Sequence, residues 1–258
     1  MQQDKWLFQK NIWNEYGYNR FLNSVQDAGV SHEEVHIIPF TDTFDREIDF
    51  VPKYVFGSNR FINVCRVKGF PTFKSFKPIE DLYLEIEWVN GAGHDVTWGK
   101  LNTLTSEHLW RPFFIKPYTE KFFTGKVCEN VDDLQKIQLA TSFIGDENDE
   151  LIRISPAVNI RDEVRFFIIG GEIISASLYK IKGINKQARI DESHIAWQRC
   201  KQLIRDYGII DDAFVMDLGL VGEMTHSHYW KIVELNNINS AGLYETDTDA
   251  IVSAFKHL

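Results

Sequence analysis

The sequence predicts a mixed α/β fold organised as two subdomains or one large domain. Residues 53–61 are predicted to run from a strand through a Gly-Ser turn into a helix, an order that is typical of α/β topology. Gly170 and Gly171 separate two runs rich in β-branched and aromatic residues, which predicts a β-hairpin with a two-residue turn. The chain has 258 residues, of which 44% are hydrophobic, and this is ample for a folded core.

The other elements of the first hundred residues follow from the spacing of apolar side chains. Residues 13–28 have the spacing of a helix, and Gly29 is expected to end it. Residues 35–40 and residues 83–89 are predicted strands. Nothing in this part of the chain amounts to a catalytic motif, so the chemistry is expected in the second part.

Two amphipathic helices are predicted in the last third of the chain. Residues 191–207 place apolar side chains on one stripe, and Gly208 supplies the stop. Arg199 and two other basic side chains of this segment are expected on its solvated face. Residues 246–258 begin with a Thr or Asp cap and carry a second apolar stripe, which predicts a packing helix.

Composition excludes several classes of protein. The net charge of -9 opposes general nucleic-acid affinity, which depends on Lys and Arg neutralising phosphates. Apolar runs such as residues 166–169 are far shorter than the roughly 20 residues that span a bilayer, and the start of the chain lacks the pattern of a secretory signal. We therefore expect a cytoplasmic protein. Cys65, Cys128 and Cys200 are odd in number and widely spaced, so we interpret them as buried thiols.

Two apolar segments near the end of the chain carry acids that predict a metal site. Asp217 lies in one predicted strand, and Glu234 and Asn236 share one face of the next strand. A hairpin centred on Thr225 and His226 places Asp217 opposite Glu234. Two carboxylates roughly 4 Å apart repel by about 4 kcal/mol at an effective dielectric near 20, so a cation is expected between them. Mg²⁺ suits this donor set. The alternative is a solvated hairpin with its acids in water.

Basic residues elsewhere predict phosphate contacts. Lys116 ends a short strand of aromatic and β-branched residues, just before Pro117, and such a buried-strand position suits a cation aimed at phosphate. The connection that follows has a Thr-Gly step whose backbone N–H groups could approach a polyphosphate. Its candidate contacts are Lys121, Thr124, Gly125 and Lys126. This connection is not a P-loop, because the glycine-lysine signature of that motif is absent.

The predicted hairpin around the Gly-Gly turn carries a third basic group. Arg161, Glu163 and Arg165 share one face of its first strand. The planar fork of Arg suits phosphate, and a neighbouring Glu can hold that fork in place. A structural ion pair on the sheet surface explains Glu163 and Arg165 equally well. Lys180, at the end of the second strand, is either a further phosphate contact or an exposed strand-end lysine.

The order of these elements resembles the ATP-grasp superfamily. The similar segments read FIKP, KFFTGKV, EVRFFIIGGEIISASLY and VELNNINSAGLY, and together they span residues of about 107 to 250. They look like the divergent clade that includes a eukaryotic translation-initiation assembly factor and many bacterial and phage proteins. The resemblance implies an N-terminal α/β domain over residues 1–106 and a nucleotide-binding domain over residues 107–258, with antiparallel sheets enclosing the nucleotide.

The resemblance also implies roles for the candidate residues, with ATP and Mg²⁺ as cofactors. Lys116 would contact the ATP phosphates, Arg165 the transferred phosphate, and Glu163 and Lys180 would support them. The loop from Lys121 to Lys126 would fold over the phosphates as a lid. One or two Mg²⁺ ions would be held by Asp217, Glu234 and Asn236. Adenine would be bound through the backbone of residues 151–158, for which Arg153, Ile154 and Ser155 are the candidates.

The sequence departs from the family pattern in the phosphate loop, which has one glycine, Gly125, and the adjacent pair Phe122 and Phe123. Packing of these rings on a neighbouring strand is the alternative to a role over ATP. In the N-terminal part, Gly57, Ser58 and Arg60 are candidates for holding the second substrate, although an ordinary strand-to-helix turn explains them as well.

Three functions remain open at this level. The first is an ATP- and Mg²⁺-dependent ligase that activates a carboxylate as an acylphosphate for attack by an amine or thiol, with an unidentified substrate pair that includes small molecules, peptides and proteins. The second is an ATP-binding assembly factor that grips a partner protein without ligation. The third, a nucleic-acid-modifying ligase, is opposed by the acidic net charge.

Overall fold

The computed structural model describes residues 4–10, 15–39, 41–103, 112–119, 122–141, 149–222 and 229–258. Within these ranges the chain forms three sheets and five α-helices. The first sheet is parallel, with strand order β2-β1-β3, and has two helices. Its elements are β1 (Trp6–Gln9), α1 (Glu15–Asp27), β2 (His32–Val35), β3 (Val55–Phe56) and α2 (Asn59–Val67).

The second sheet is antiparallel and has the strand order β4-β7-β5-β6. Its elements are β4 (His94–Thr97), β5 (Phe113–Pro117), β6 (Lys126–Cys128), α3 (Val131–Thr141) and β7 (Leu151–Pro156). Short 3₁₀ helices at Glu85–Glu87 and Trp98–Thr103 flank β4. Because β4 precedes residue 107 and yet pairs with β7, this sheet includes residues on both sides of the predicted domain boundary, which stays a prediction.

The third sheet is antiparallel and has the strand order β10-β9-β8-β11-β12. Its elements are β8 (Ile160–Ile169), β9 (Glu172–Ile181), β10 (Ile184–Ile190), α4 (Ile195–Tyr207), β11 (Ala213–Val221), β12 (Trp230–Asn237), a 3₁₀ turn (Ile238–Ser240) and α5 (Thr248–His257). The mixture of helices with antiparallel sheets confirms the predicted fold class.

Both faces of the third sheet are buried, which explains the continuous apolar runs in β8 and β11. Phe166 packs on one face with Trp197 of α4 and Met216. Its chain neighbour Phe167 points to the opposite face, because side chains alternate along a strand, and packs there with Phe255 of α5 and the aromatic cluster of the first sheet. The first and third sheets therefore share one hydrophobic core.

Several local predictions are confirmed. Gly170 and Gly171 have φ values of 59° and 82°, as a two-residue hairpin turn requires. The helix before Gly208 ends there, with that glycine at a φ of 84°. Asp247 caps α5 by accepting a hydrogen bond from the Ala250 N–H at 3.0 Å. The three cysteines are buried.

Three other local predictions are wrong. The strand predicted at residues 35–40 lies instead at His32–Val35. Residues 83–89 contain a 3₁₀ turn instead of a strand. Arg199 is buried instead of solvated: it forms an ion pair with Glu87 and donates to the Trp230 carbonyl at 3.2 Å. Periodicity alone treats a charged side chain as polar surface, and it does not show that a distant acid supplies a buried partner.

Among the described residues, no helix combines the length and the apolar character that a membrane crossing requires.

Candidate active site

A cleft lies where the second and third sheets meet the segment that follows α2. Lys116 enters it from β5, Arg165 from β8, and Glu234 and Asn236 from β12. The facing wall is formed by residues 75–78 together with Asn59. The cleft has a volume of about 270 Å³ and gathers both cations and oxygen donors, so it is the candidate site for charged substrates.

Strand register explains why three charged side chains are adjacent at the floor of the cleft. Asp217 on the central strand β11 pairs with Arg165 on one side and with Glu234 on the other. Directly opposed residues of antiparallel strands point to the same face, so the three side chains form a row across the sheet. The predicted pairing of Asp217 with Glu234 is confirmed.

The prediction that Ile232 shares the face of Glu234 is wrong, because the ladder shifts. Asp217 pairs with Glu234, but Leu218 pairs with Ile232, so Val233 is the extra residue of a β-bulge. This bulge reverses the side-chain alternation in β12. Ile232 therefore lies in the core, whereas Glu234 faces the cleft.

Arg165 and Asp217 form a bidentate ion pair. The Arg165 Nε donates to Asp217 Oδ1 at 2.8 Å and its Nη2 donates to Oδ2 at 2.7 Å. The Asp217 side chain is fully buried, and that of Arg165 is 10% exposed. The remaining nitrogen of Arg165, Nη1, donates to the Gly242 carbonyl at 3.2 Å. The guanidinium is thus fixed from two sides.

Lys116 links the second sheet to the third. Along β5 the side chains alternate between the core and the cleft, and Lys116 lies on the cleft side. Its Nζ donates to Glu234 Oε2 at 2.7 Å, and both side chains keep partial exposure, 25% for Lys116 and 33% for Glu234. This cation and this anion are therefore both accessible from the cleft.

Asn236 joins the two ion pairs. Its Nδ2 donates to Asp217 Oδ2 at 3.3 Å and to Glu234 Oε1 at 3.1 Å. The amide hydrogens therefore occupy the space between the two carboxylates, where the sequence predicts a cation. Together with Lys116 and Arg165, they supply the positive charge that offsets the repulsion between the acids.

Two carboxyl groups in this network have shifted pKa values in opposite directions. Burial alone would raise the pKa of Glu234, but the Lys116 ammonium, with help from Asn236 and Arg165, lowers it to about 2. Complete burial raises the pKa of Asp217, and Glu234 adds to the increase, whereas Arg165 acts against it. Glu234 is consequently the carboxylate held ionised by its neighbours, and Asp217 depends on Arg165 for its charge.

The residues present fit a Mg²⁺ ion in part. Among the described residues, no group of three or more His, Cys, Asp or Glu side chains is arranged to hold a metal. Phosphate-linked Mg²⁺ needs only one or two carboxylates with phosphate oxygens and water, and Glu234 and Asn236 offer such donors to the cleft. Both oxygens of Asp217 are occupied by Arg165, so this predicted ligand could bind metal only if Arg165 released it.

Glu163 and Lys180, two further candidates, form an ion pair beside this cluster. Lys180 Nζ donates to Glu163 Oε1 at 2.6 Å, and the Tyr179 hydroxyl donates to Oε2 at 2.7 Å. Consecutive residues reach the same carboxylate because Tyr179 is the extra residue of a second β-bulge, between the pairs Glu163 with Lys180 and Val164 with Leu178. Lys180 is therefore a paired lysine.

Sequence patterns missed two tyrosines next to Arg165. The rings of Tyr179 and Tyr244 stack at 4.9 Å, and the guanidinium carbon of Arg165 lies 5.6 Å and 5.0 Å from their centroids. Tyr244 has a φ of 46°, which is unusual for a residue with a side chain. Only the bulge at Tyr179 and the fold of the chain after Gly242 bring these rings together, and neither has a sequence signal.

The predicted phosphate loop does not reach the cleft where it is described. Lys121 lies outside the described residues. Phe122 and Phe123 pack on Trp98 at centroid distances of 5.1 Å and 5.4 Å, so the alternative of packing is the one observed, with a 3₁₀ helix in place of a strand. None of the described cleft-lining residues comes from this loop, whose other candidates were Thr124, Gly125 and Lys126.

The candidates for adenine binding lie in a strand whose edges are already paired. Arg153 and Ile154 pair with β4 on one side of β7 and with β5 on the other, and Ser155 pairs with β5. The Arg153 guanidinium donates to the carbonyls of Asn90 and Gly91 and forms an ion pair with Asp95. These residues anchor the 90–95 segment, so the prediction that they bind adenine is not supported by this geometry.

The three N-terminal candidates separate. Ser58 caps α2 by accepting from the Phe61 N–H at 3.3 Å, and both Gly57 and Ser58 line a second pocket, beside the cleft. Arg60 forms an ion pair with Asp42 at 3.5 Å and lines neither cavity. The cleft instead contains Ser75 and Lys77, which the sequence patterns did not indicate.

Lys116→Met should raise the pKa of Glu234 from about 2 by about 1 to 3 units, because the lowering cation is removed while burial remains. A lowered carboxyl pKa stabilises the fold above the unfolded value of 4.5, and this contribution disappears as the pH falls toward 2. Carbon-detected NMR titration of the Glu234 carboxyl measures the shift. Lys201→Met, on the exposed face of α4, is the control. An unchanged midpoint in Lys116→Met would contradict the ion pair.

Comparisons with known proteins agree with this architecture. No curated protein matches the chain. A structure of the ATP-grasp ligase PsnB with its minimal precursor has 11% sequence identity and a TM-score of 0.52 over 100% of this chain and 99% of that chain. A structure of the macrocyclase MdnC with the precursor peptide MdnA, from Microcystis aeruginosa MRC, has 11% identity and a TM-score of 0.54 over 98% of this chain and 100% of that chain.

At such low identity these likenesses show a shared fold, namely that of ATP-grasp ligases. The family match is independent of them. A family described as an ATP-grasp domain, the second family of its clade, matches residues 92–254, which is more than half of the chain and includes every charged residue of the floor of the cleft. The chain therefore belongs to this family of ATP-grasp domains, which confirms the predicted superfamily.

Proposed function

We propose that this chain is an ATP- and Mg²⁺-dependent ligase that activates a carboxylate as an acylphosphate for attack by an amine or a thiol. The observation that carries the proposal is the pairing of charges at the floor of the cleft. Lys116 is neutralised by Glu234 and Arg165 by Asp217, and Asn236 bridges the acids. A site that holds equal numbers of cations and oxygen donors can exchange these internal partners for phosphate and metal.

The proposed exchange gives each residue a role. Glu234 and Asn236 would hold Mg²⁺, which when bound neutralises charge on the transferred phosphate. Asn236 would present its amide oxygen, in place of the nitrogen that now donates to both acids. Once Glu234 turns away, the Lys116 ammonium is released to bind phosphate oxygens.

Arg165 is held differently and needs no release. Asp217 fixes two of its nitrogens, and the third, Nη1, contacts only the Gly242 carbonyl in the described structure. Since a guanidinium has five N–H donors, Arg165 can donate to a phosphate while Asp217 keeps its orientation. This arrangement supports a positioning role for Asp217, in addition to the predicted role as metal ligand.

The chemistry follows from positioning and charge neutralisation. A carboxylate oxygen of the substrate attacks the γ-phosphorus, the bond to the β-phosphate oxygen breaks, and ADP leaves. The amine or thiol then attacks the carbonyl carbon of the acylphosphate, and phosphate leaves with the bonding electrons while the attacking group loses a proton. Lys116 and Arg165 stabilise the negative charge on the transferred phosphate in the first step. No Ser or Cys nucleophile is required.

A peptide or protein is the proposed source of at least one reacting group. PsnB and MdnC were both solved with precursor peptides, and PsnB also with Mg and ADP. These ligands belong to those proteins. They support a peptide substrate here because the fold is shared over nearly the whole of each chain.

The test is a trapping assay that does not require the natural acceptor. The protein is incubated with ATP, Mg²⁺, hydroxylamine and pools of peptides that carry free carboxylates, and both nucleotide products and hydroxamates are measured. We expect ADP and a hydroxamate in at least one pool. Release of AMP would contradict acylphosphate chemistry. Tight ATP binding with neither ADP nor hydroxamate in any pool would favour the assembly-factor alternative.

A further inference from the structure

A second pocket lies on the other side of the loop formed by residues 240–242. It has a volume of about 200 Å³ and is bounded by α1, the β3–α2 turn, the 240–244 segment and α5. Its floor consists of core side chains that are no more than 4% exposed: Phe21, Phe56, Phe167, Ile238, Ile251 and Phe255. The pocket is therefore a concave extension of the core shared by the first and third sheets.

The lining of this pocket is free of charge. Not one of the described lining residues is Asp, Glu, Lys, Arg or His. Transfer of an ionised group into such surroundings without a partner is strongly unfavourable. An apolar group gains about 25 cal/mol for each Å² removed from water. The pocket consequently favours neutral, apolar ligand groups.

The polar side chains of the lining are already satisfied by the protein. The Asn239 amide donates to the Val55 carbonyl at 2.8 Å and accepts from the Phe73 N–H at 2.9 Å. The Tyr18 hydroxyl donates to the Gln9 carbonyl, and Ser58 caps α2. Few polar groups at this site need a ligand, so hydrogen-bonded ligands gain little there.

The pocket and the charged cleft are separated by a single stretch of backbone. Ser240, Ala241 and Gly242 line both cavities. The Gly242 carbonyl, on this shared wall, accepts the hydrogen bond from Arg165 Nη1. One molecule can therefore place an apolar group in the pocket and a reactive group against the cations of the cleft.

The size of the pocket restricts the apolar group. A dry cavity of about 150 Å³ is known to bind benzene, so about 200 Å³ accommodates one aromatic ring with its linking carbon. The floor offers edges and faces of Phe rings, and aromatic pairs are favoured beyond their buried area.

We infer that this pocket binds an uncharged aromatic side chain of the substrate, next to the group that reacts in the cleft. The inference rests on the proposed function for the link between pocket and reaction, because only a ligase would use the adjoining cleft to activate that substrate. The occupant is a phenylalanine-like side chain of a peptide or amino-acid derivative, and acidic or basic side chains are excluded.

Binding of small neutral probes tests the inference without ATP. N-acetyl-L-phenylalaninamide is compared with the amides of N-acetyl-L-aspartate and N-acetyl-L-lysine by saturation-transfer NMR and by titration. We expect the aromatic probe to bind at least about tenfold more tightly than either charged probe, since burial of a ring stabilises by about 1.5 to 3 kcal/mol. Equal binding of the charged probes would overturn the inference.

Two matched substitutions on α1 locate the binding site. Gly17 lines the pocket, so Gly17→Leu should fill it and weaken the aromatic probe about tenfold or more. Asn19→Leu adds the same side chain at an exposed position of the same helix, outside the pocket, and should bind the probe as the unmodified chain does. Unaltered binding by a folded Gly17→Leu chain would overturn the inference.

A measurement on the unmodified chain covers the case in which Gly17→Leu fails to fold. Intermolecular NOEs are expected between the ring of the aromatic probe and the methyl groups of Ile238 and Ile251, which form part of the floor. Absence of these NOEs at saturating probe would overturn the inference. Because no nucleotide is present, failure of the hydroxylamine trapping assay would remove the proposed ligase function without altering these results.

Discussion

Glu234→Gln is expected to lower Mg²⁺-dependent ATP turnover by at least about 100-fold, which corresponds to a loss of ~2.7 kcal/mol of transition-state stabilisation. The substitution keeps the shape of the side chain and removes its charge, so the cleft loses its accessible carboxylate for Mg²⁺ and Lys116 loses its partner. The fold should persist, because the Glu234 side chain is 33% exposed. ADP release at varied Mg²⁺ concentration measures the effect, with circular dichroism as the test of folding.

The matched control is Glu172→Gln, which removes one carboxylate from an exposed position of the same sheet, outside the cleft. Its turnover should equal that of the unmodified chain. Asp217→Asn should also abolish turnover, through loss of the orientation of Arg165 or loss of a metal ligand. Undiminished turnover in both Glu234→Gln and Asp217→Asn would contradict the assignment of this cleft as the ATP site.

The part of the site that sequence could predict is the part encoded by local register. Asp217 and Glu234 belong to strands joined by one short connection, so the centre of the hairpin fixes which residues face each other. The same reasoning could not foresee the bulge at Val233, because a bulge adds one residue without a required residue type. This is why the position of Glu234 was predicted and that of Ile232 was not.

The partner of Asp217 was beyond local reasoning. Arg165 reaches it because β8 and β11 are neighbours in the sheet, although they are separated in sequence by β9, β10 and α4. Long-range strand order of this kind leaves no periodic signal in either strand. The sequence therefore indicated a cation between two acids and suggested Mg²⁺, whereas the described structure places Arg165, Lys116 and the Asn236 amide around them.

Cavities were the least predictable feature for the same reason. The wall of the cleft opposite Lys116 is supplied by Ser75 and Lys77, which lie in an irregular segment after α2. The uncharged pocket combines α1 with residues more than 200 positions later, on the 238–244 segment. Each of these stretches is an ordinary turn or helix face by itself, and only their assembly creates a site.

Removal of either partner of the buried pair Arg165 and Asp217 should lower the free energy of unfolding by about 3 to 5 kcal/mol. Arg165→Met leaves a fully buried carboxylate without its cation, and Asp217→Leu leaves a guanidinium that is only 10% exposed without its anion. The double substitution removes both charges and should lose much less than the sum of the two single losses. Urea denaturation of the four chains measures the coupling as a double-mutant cycle.

The residual loss in the double variant has identifiable sources. The Gly242 carbonyl loses the donor Nη1, and an unsatisfied buried acceptor costs about 1 to 3 kcal/mol, whereas a Met side chain can still contact the rings of Tyr179 and Tyr244. Arg205→Met is the control, since its pair with Asp206 is exposed and should contribute no more than about 1 kcal/mol. Strictly additive losses in the cycle would mean that Asp217 and Arg165 are stabilised independently. Asp217 could then not be the residue that orients Arg165 toward the cleft, and its function would have to be that of a metal ligand alone.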